Sequence, residues 1–322
     1  MPHLHVLLNS HSGTAGGFAA DQLESALEER GFTATIDADG SVPLSERLGR
    51  ARNVQCDILV AAGGDGTATA LAEVAVEIGK PMTLLPLGTA NLLARDLLIP
   101  LEMPAWLEAL PDMVPRRIDV GRVNGRVFLH KVVIGFVPGI AAGREKIRGR
   151  EGLLAQLGFL GYAARRILRA RRFALEIERE NEGPHIERVQ AVAVANNAYD
   201  EAFGRFFART KLDDGVLNLY VLHRVTLMAA LRLAAGVFVG HWRDHAALDI
   251  SPVSSVTIRS RRRQVKAMLD GEVMSLFNPL RFDILPRALE IYAPPVPITA
   301  EEEAEAQAAA TEQTRPELEL GG

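Results

Sequence analysis

The order of apolar segments between residues 3 and 98 restricts the fold more than any other feature of this sequence. Short apolar runs alternate there with amphipathic stretches that have helical spacing. The pattern predicts strands over 4–8, 33–37, 57–62 and 82–85 and helices over 19–29, 44–53, 67–78 and 90–97. Such alternation is typical of βα units around a parallel sheet, in which ligands bind at the carboxyl ends of the strands. We therefore expect an α/β domain with its binding loops along one edge of the sheet.

The pattern changes after about residue 115, where β-rich segments and turn signals replace the βα alternation. The dipeptide Asn124-Gly125 favours a two-residue hairpin loop. Further strands are predicted over 175–180, 189–196, 216–222, 253–259, 265–270 and 280–285, with helical insertions over 153–169 and 226–239. A chain of 322 residues also exceeds the usual size of one hydrophobic core. Together these observations predict a second, mainly antiparallel domain.

Composition and charge exclude several classes of protein. The chain is 48% hydrophobic and 24% charged, as in an ordinary globular protein, and its net charge of −4 provides no general attraction to nucleic acid. The longest apolar stretch, 225–239, contains Arg232 and is shorter than the ~20 residues needed to cross a bilayer. The apolar run within residues 1–9 is too short for a signal peptide. We therefore expect a cytoplasmic protein without a membrane span.

The strongest chemical signal is Gly63-Gly64-Asp65-Gly66-Thr67, which lies between a predicted strand and a predicted helix. Glycines let the backbone approach phosphates closely, and the N-terminus of the following helix offers unpaired N–H groups to an anion. Asp65 would repel phosphates unless it binds Mg²⁺ or orients a nucleotide. The alternative interpretation is a tight turn in which Asp65 or Thr67 caps the helix.

Two further turns of small and polar residues lie at the same predicted edge, so three loops could surround one triphosphate. The residues in these turns are Asn9, Ser12 and Gly13 after the first strand and Gly88, Thr89 and Asn91 after the fourth. Neither the Walker pattern nor the dinucleotide GxGxxG pattern occurs at these turns. A standard P-loop ATPase and a Rossmann dehydrogenase are therefore disfavoured.

These motifs, with an Asp-Gly-Glu element near the end of the chain, resemble the diacylglycerol kinase catalytic family. That family includes bacterial soluble diacylglycerol kinases, YegS-like lipid kinases and sphingosine kinases. The resemblance covers about residues 3–295 and rests on Asn9-x-x-Ser12-Gly13, Gly63-Gly64-Asp65-Gly66-Thr67, Gly88-Thr89-x-Asn91, Asn196-Asn197, Lys211-Leu212-Asp213-Asp214-Gly215 and Asp270-Gly271-Glu272. The combination is specific, although GGDGT alone is also found in NAD kinases.

The resemblance implies a nucleotide-binding α/β domain with an NAD-kinase-like parallel sheet over 1–120, completed by a return strand over 286–297. It implies a β-sandwich-like lipid-substrate domain over 121–285, with the active site in the cleft between the two. Residues 298–322 have few apolar side chains and are expected to form a disordered acidic tail.

The implied reaction is transfer of the γ-phosphate of ATP to a lipid hydroxyl, with Mg²⁺ as cofactor and diacylglycerol as the default acceptor. Asp270 and Glu272 would lie in the cleft, where one carboxylate accepts the hydroxyl proton. Which of the two is the base stays open, and a simple β-turn is the alternative interpretation. By the same resemblance, Asp214 and the backbone carbonyls of Lys211 and Val216 would hold a structural Mg²⁺.

Three positions depart from the pattern of the family. Ser10 stands where proline is usual, and Thr69-Ala70 stands where Asn-Glu is frequent. The chain also reads Leu129-His130-Lys131 where many members carry asparagine. Side-chain contacts near the nucleotide are therefore expected to differ from those of the family.

The segment from Arg144 to Arg172 is strongly basic. Its cations are Arg144, Lys146, Arg148, Arg150, Arg165, Arg166, Arg169, Arg171 and Arg172. Basic residues beside apolar ones would bind an anionic membrane surface transiently, and a packed amphipathic helix is an equally good interpretation. The expected partners are thus ATP, a lipid alcohol and a membrane surface visited by a peripheral protein, without nucleic acid. A homodimer stays open.

Two alternatives to a lipid kinase remain at this point. An NAD-kinase-like enzyme would share the GGDGT loop but would need a pocket for adenosine ribose. The sequence of the apolar second domain does not indicate such a pocket. A lipid-binding or regulatory protein with the same fold but without phosphate transfer is compatible with the Thr69-Ala70 departure.

Overall fold

The computed structural model of the chain describes residues 1–9, 20–135, 170–180, 182–200, 208–223 and 248–296. These residues form two sheets and two main hydrophobic cores, one in the α/β part and one in the β-rich part, where strands of both sheets contribute to the core. The predicted helical insertions over 153–169 and 226–239 and the predicted tail over 298–322 lie outside the described residues. Within the described ranges, no helix is long and apolar enough to cross a membrane.

The first part of the chain follows the predicted βα alternation. Its elements are β1 (His3–Leu8), α1 (Ala20–Glu28), β2 (Thr33–Asp37), α2 (Leu44–Asn53), β3 (Ile58–Gly63), α3 (Asp65–Ile78), β4 (Met82–Pro86), α4 (Leu92–Asp96) and α5 (Met103–Ala109). The four strands are parallel and lie in the order β2-β1-β3-β4. β3 is buried along its whole length, as expected for a central strand covered on both faces. The predicted parallel α/β domain is confirmed.

The second part is mainly antiparallel, as predicted. Its strands are β5 (Val114–Val123), β6 (Arg126–Phe128), β7 (Lys131–Gly135), β8 (Phe173–Arg179), β9 (His185–Val189), β10 (Ala191–Asn196), β11 (Leu217–Leu222), β12 (Leu248–Val253), β13 (Ser255–Arg259), β14 (Gln264–Leu269), β15 (Glu272–Phe277) and β16 (Leu280–Ala293). Six of them form an antiparallel sheet in the order β12-β11-β10-β7-β14-β15. Asn124 and Gly125, both with positive φ, form the predicted two-residue loop between β5 and β6.

β16 connects the two parts. Its first half pairs antiparallel with β13, whereas Ile291 near its end lies opposite Met82 in parallel β4. β5 pairs antiparallel with β16 along most of its length. The strand therefore carries one continuous sheet from the α/β part into the β-rich part, which brings loops of the two parts together.

The strand predictions were wrong in detail at four places. The single strand predicted over 189–196 is divided, since β9 ends at Val189 and β10 begins at Ala191. The strand predicted over 253–259 is interrupted at Ser254, between β12 and β13. β15 was not predicted at all. β16 is one continuous strand, where the prediction had one strand over 280–285 and a separate return strand over 286–297.

Candidate active site

The GGDGT loop and the second glycine-rich loop touch through their backbones. Gly63 ends β3 and Gly64 is the N-cap residue of α3. The Leu87 N–H donates a hydrogen bond to the Gly63 carbonyl at 2.9 Å. A Cβ atom added at Gly88 would lie 2.5 Å from the Cα of Gly64. Because backbone atoms cannot turn aside as side chains do, this approach requires glycine at position 88.

Asn91 and Asp65 hold the second loop in place. Asn91 adopts a left-handed conformation, accepts a hydrogen bond from the Gly88 N–H at 2.9 Å and donates one to the Gly88 carbonyl at 2.8 Å. Asp65 does not cap its own helix, because its Oδ1 accepts the N–H of Leu92, the first residue of α4, at 2.7 Å. Thr89 is exposed at the tip of the loop.

The Asp65 carboxyl is half-buried beside the second loop. Burial raises the pKa of its carboxyl above the ordinary value. The hydrogen bond from the Leu92 N–H lowers this pKa, and the negative charge of Asp270 raises it. A cation close to the two carboxylates would favour their ionised forms, so the site suits a divalent metal ion.

Asn9 joins the first strand to the GGDGT loop. Its backbone N–H donates to the Ala62 carbonyl at 2.9 Å, and its side-chain amide donates to Thr67 Oγ1 at 3.1 Å. Thr67 is therefore positioned from two neighbouring strands of the sheet. Ser12 and Gly13, predicted for the same loop, lie outside the described residues.

Asp270 is a buried acceptor between the two parts of the chain. With Gly271 it forms the two-residue loop between β14 and β15, and both residues have positive φ. Its carboxylate accepts hydrogen bonds from the backbone N–H groups of residues 129–131 at 2.7 to 3.0 Å. Its Oδ2 also accepts a hydrogen bond from the Thr69 hydroxyl at 2.9 Å. Four donors from both parts of the chain thus hold the carboxylate in place.

Glu272 differs from Asp270 in both exposure and contacts. Its side chain is exposed, and its Oε1 lies so close to Gly66 that a Cβ atom at position 66 would overlap it. Glu272 also lines a cavity of about 110 Å³ with Gly66, Thr69, Glu73 and Arg126. The Asp-Gly-Glu element therefore places an exposed carboxylate at the N-terminal turn of α3, beside the GGDGT loop.

Three comparisons with known proteins agree with this geometry. Residues 3–123 match the family described as the diacylglycerol kinase catalytic domain, and residues 143–293 match the YegS C-terminal NAD kinase beta sandwich-like domain. A protein of Pseudomonas aeruginosa (strain UCBPP-PA14) named "Probable lipid kinase YegS-like" is 30% identical over 90% of this chain and 94% of its own length. The chain belongs to the diacylglycerol kinase catalytic domain family.

Two further proteins resemble this member of the diacylglycerol kinase family, one longer than this chain and one more distant in sequence. An uncharacterized protein of Synechocystis is 27% identical over 73% of this chain and 54% of its own length, so the chain spans about half of that relative. The crystal structure of a diacylglycerol kinase from Bacillus anthracis has a TM-score of 0.67 at 16% identity and covers 91% of this chain and 97% of its own. This likeness confirms the fold that the family resemblance implied.

The hydrogen bond between Thr69 and Asp270 was not predicted from the sequence. Thr69 was noted as a departure from the family pattern, yet its hydroxyl supplies the only side-chain donor to Asp270 among the hydrogen bonds of the described residues. The local sequence gives no signal for this contact, because 201 positions separate the two residues.

The loop predicted to hold a structural Mg²⁺ is organised by Asp119, a second residue that was missed. Asp119 is fully buried in β5, and its carboxylate accepts the N–H groups of Gly215 at 2.6 Å and Arg287 at 2.8 Å. An aspartate between the apolar residues Ile118 and Val120 is the signal that could have revealed it.

The predicted metal ligands fit a hard cation only in part. Lys211 and Asp214 are exposed, and the Val216 carbonyl already accepts the N–H of Asn197 at 3.1 Å. One carboxylate and two carbonyls are suitable oxygen ligands for Mg²⁺ if water completes the coordination. No group of three or more His, Cys, Asp or Glu side chains in the described ranges could hold a metal ion.

A buried ion pair joins the two parts behind the site. Arg209, which lies before β11, donates from Nε and Nη2 to Asp96 Oδ2 at 2.8 and 2.7 Å, and neither side chain is more than 4% exposed. Arg209 Nη1 also donates to the carbonyls of Leu129 and Asn196. Since the Leu129 N–H is itself one of the donors to Asp270, the ion pair supports the backbone that holds the Asp270 carboxylate.

Proposed function

We propose that this protein is an ATP-dependent lipid kinase that transfers the γ-phosphate to a lipid hydroxyl, with diacylglycerol as the default acceptor. The observation that carries the proposal is the position of Glu272 beside Gly66, at the start of the helix that follows the GGDGT loop. A phosphate bound by the backbone N–H groups of that loop would thus lie close to an exposed carboxylate.

The two carboxylates of the Asp-Gly-Glu element would have different tasks. Transfer to an alcohol needs a group that accepts the hydroxyl proton as the oxygen attacks phosphorus. Glu272, which is exposed, is our candidate for that base. Asp270, which already accepts four hydrogen bonds, is our candidate for a positioning residue that orients the β14–β15 loop and the start of β7.

The phosphate-binding part would consist of the three loops at the sheet edge. Backbone N–H groups at Gly64 and Gly66 can approach phosphate oxygens because these residues have no side chain. Gly88, whose N–H donates to Asn91, lets the backbone of the second loop come close to the same phosphates. Asn9 and Asn91 fix the loops on either side, and Thr89 is exposed near them. We also propose that Ser12 and Gly13 contribute to this phosphate site.

Mg²⁺ bound with the nucleotide would neutralise phosphate charge during transfer. Asp65 is the residue that we propose to interact with it, directly or through water, because its buried carboxyl lies near a second negative charge. We also retain Asp214 with the carbonyls of Lys211 and Val216 as a proposed structural Mg²⁺ site. A cytoplasmic protein that visits the membrane would fit this function.

The function is tested with labelled ATP and Mg²⁺ on a panel of acceptors. The panel contains short-chain diacylglycerol, sphingosine, ceramide, phosphatidylglycerol and NAD. We expect label in a lipid product, with diacylglycerol preferred. Label in NAD alone would favour an NAD-kinase-like enzyme, and no transfer to any acceptor would favour a lipid-binding or regulatory protein.

A further inference from the structure

The β-rich part of the chain contains a large open cleft away from the candidate active site. Its volume is about 800 Å³, and its walls come from the end of β7, the starts of β8 and β14 and the turn after β13. β7 begins at Lys131, beside Asp270, and ends at Gly135 in the cleft wall. At about 3.3 Å per residue, the cleft therefore lies roughly 13 Å along the strand from Lys131 and the adjacent Asp270.

The lining of this cleft carries charge of one sign only. Its charged residues are Arg171, Arg172, Arg188, Arg261, Arg262 and Lys266. All six are exposed, no Asp or Glu lines the cleft, and none of the six forms an ion pair with a carboxylate in the described ranges. Such a concentration of cations is notable in a chain whose net charge is −4. The cluster forms only in the fold, because the six residues come from three separate stretches of sequence.

A large apolar side chain lies beside the cations. Phe277 is 60% exposed at the end of β15, and it pairs with Gln264 on the edge of the six-stranded sheet. Lys266 is two residues further along β14, so it lies on the same face as Gln264 and Phe277. An exposed aromatic ring beside unpaired cations is the combination by which peripheral proteins bind anionic bilayers.

We propose that this cleft and Phe277 form a docking surface for a membrane that contains anionic phospholipids. The cations would contact the headgroups while the phenyl ring enters the boundary of the acyl chains. The proposal deepens the lipid-kinase function and rests on it for the choice of a lipid surface over other polyanions. The choice is supported by Phe277, since a soluble polyphosphate or nucleic acid backbone gives no apolar partner to an exposed phenyl ring.

Cosedimentation of the full chain with vesicles tests this proposal. Vesicles of phosphatidylcholine with phosphatidylglycerol should bind the protein, and vesicles of phosphatidylcholine alone should not. Reversing three charges in Arg261→Glu/Arg262→Glu/Lys266→Glu should weaken binding to anionic vesicles by roughly 100-fold, and Phe277→Ser should weaken it by roughly 10-fold. Binding of the wild type should also fall at high salt.

A matched control reverses Arg50, Arg52 and Arg117, three cations that are 49%, 36% and 68% exposed in the first part of the chain. This control changes the net charge equally and should bind vesicles like the wild type. Equal vesicle binding by the cleft variant and the control would overturn the proposal. Failure of the wild type to bind anionic vesicles would also overturn it. Loss of oligonucleotide binding in place of vesicle binding would overturn it in favour of a nucleic acid site.

Phosphate transfer to a soluble short-chain lipid separates this proposal from the function on which it rests. The cleft variant should transfer phosphate to that substrate like the wild type, because the substrate does not require docking. If neither protein transfers phosphate but only the cleft variant loses vesicle binding, the docking surface stands and the kinase function fails. If transfer is normal and vesicle binding is unchanged, the kinase function stands and the docking surface is wrong.

Discussion

Lys131 shows how the fold changes the chemistry of a single residue. Burial and, second, the charge of Arg209 lower the pKa of its ammonium group from 10.5 to about 8, while the charges of Asp270 and Asp96 oppose this change. Its Nζ lies 5.2 Å from the centre of the Tyr199 ring. Lys131 belongs to the stretch Leu129-His130-Lys131, where many members of the family carry asparagine.

The lowered pKa of Lys131 predicts a pH dependence of stability. Above pH 8 the folded protein loses the Lys131 proton, whereas the unfolded chain keeps it up to about pH 10.5. The unfolded state then binds more protons, so the free energy of unfolding rises with pH in this window. We expect denaturant unfolding to show a gain of about 1 to 2 kcal/mol between pH 8 and about 9.5 in the wild type relative to Lys131→Met.

The comparison stops near pH 9.5 because Tyr199 acts in the opposite direction at higher pH. Burial raises the pKa of its hydroxyl well above 10.0, so the folded state keeps a proton that the unfolded chain loses. Parallel stability curves for the wild type and Lys131→Met between pH 8 and 9.5 would contradict the lowered pKa of Lys131.

The role of a single residue can be predicted from the sequence when its partners are adjacent in the chain. GGDGT reads as a phosphate loop because its glycines, strand and helix are adjacent in the chain. The four donors around Asp270 could not be predicted, since they come from residues 69 and 129–131. The same limit left open which carboxylate of the Asp-Gly-Glu element is the base.

At the scale of secondary-structure elements, the contact between the two glycine-rich loops should be broken by adding a single methyl group. In Gly88→Ala the new methyl group would meet the Gly64 Cα at 2.5 Å and Asn91 Oδ1 at 2.7 Å. The loops must then separate, and nucleotide affinity should fall at least 10-fold while the protein stays folded. Isothermal titration with a non-hydrolysable ATP analogue measures this change.

Gly49→Ala is the matched control for the loop substitution. Gly49 lies in α2, where a Cβ atom would have no neighbour within 4 Å. This variant should bind the nucleotide normally and gain about 0.4 to 1 kcal/mol of stability. Equal nucleotide affinity in both variants would mean that the loop contact does not shape the phosphate site.

Elements were predictable where the pattern of apolar residues had one interpretation. The βα alternation predicted every element of the first part that falls within the described ranges, except α5. β15 was missed because its start, Glu272, belongs to a motif that reads as a turn, and because this edge strand buries only one of its six residues. The length of β16 is set by its pairing with β5, β13 and β4, which are distant in the sequence.

At the scale of the whole molecule, the Asp96–Arg209 pair should decide how firmly the two parts are held. Arg209→Met leaves the Asp96 carboxylate buried without its partner, which should lower the free energy of unfolding by about 3 to 5 kcal/mol. Asp96→Asn/Arg209→Met should regain part of this loss, because no uncompensated charge remains. Urea unfolding of the single and double variants measures the coupling.

Arg117→Met is the control for this ion pair. Arg117 also pairs with an acidic residue of another strand, Glu290, at 3.2 Å, but its side chain is 68% exposed. Its loss should cost no more than about 1 kcal/mol. A similar cost for Arg209→Met and Arg117→Met would show that the buried pair does not join the two parts.

The central claim is that phosphate binding and proton removal are carried out by separate residues that the fold brings together. The most direct measurement is the single-turnover rate of phosphate transfer to short-chain diacylglycerol by Glu272→Gln, with ATP affinity determined on the same preparation. Glutamine keeps the shape of the side chain but cannot accept the proton, so the rate should fall by roughly 10² to 10⁴ while ATP affinity stays unchanged. A near-wild-type rate would contradict the account, because Glu272 would then have no role in the reaction.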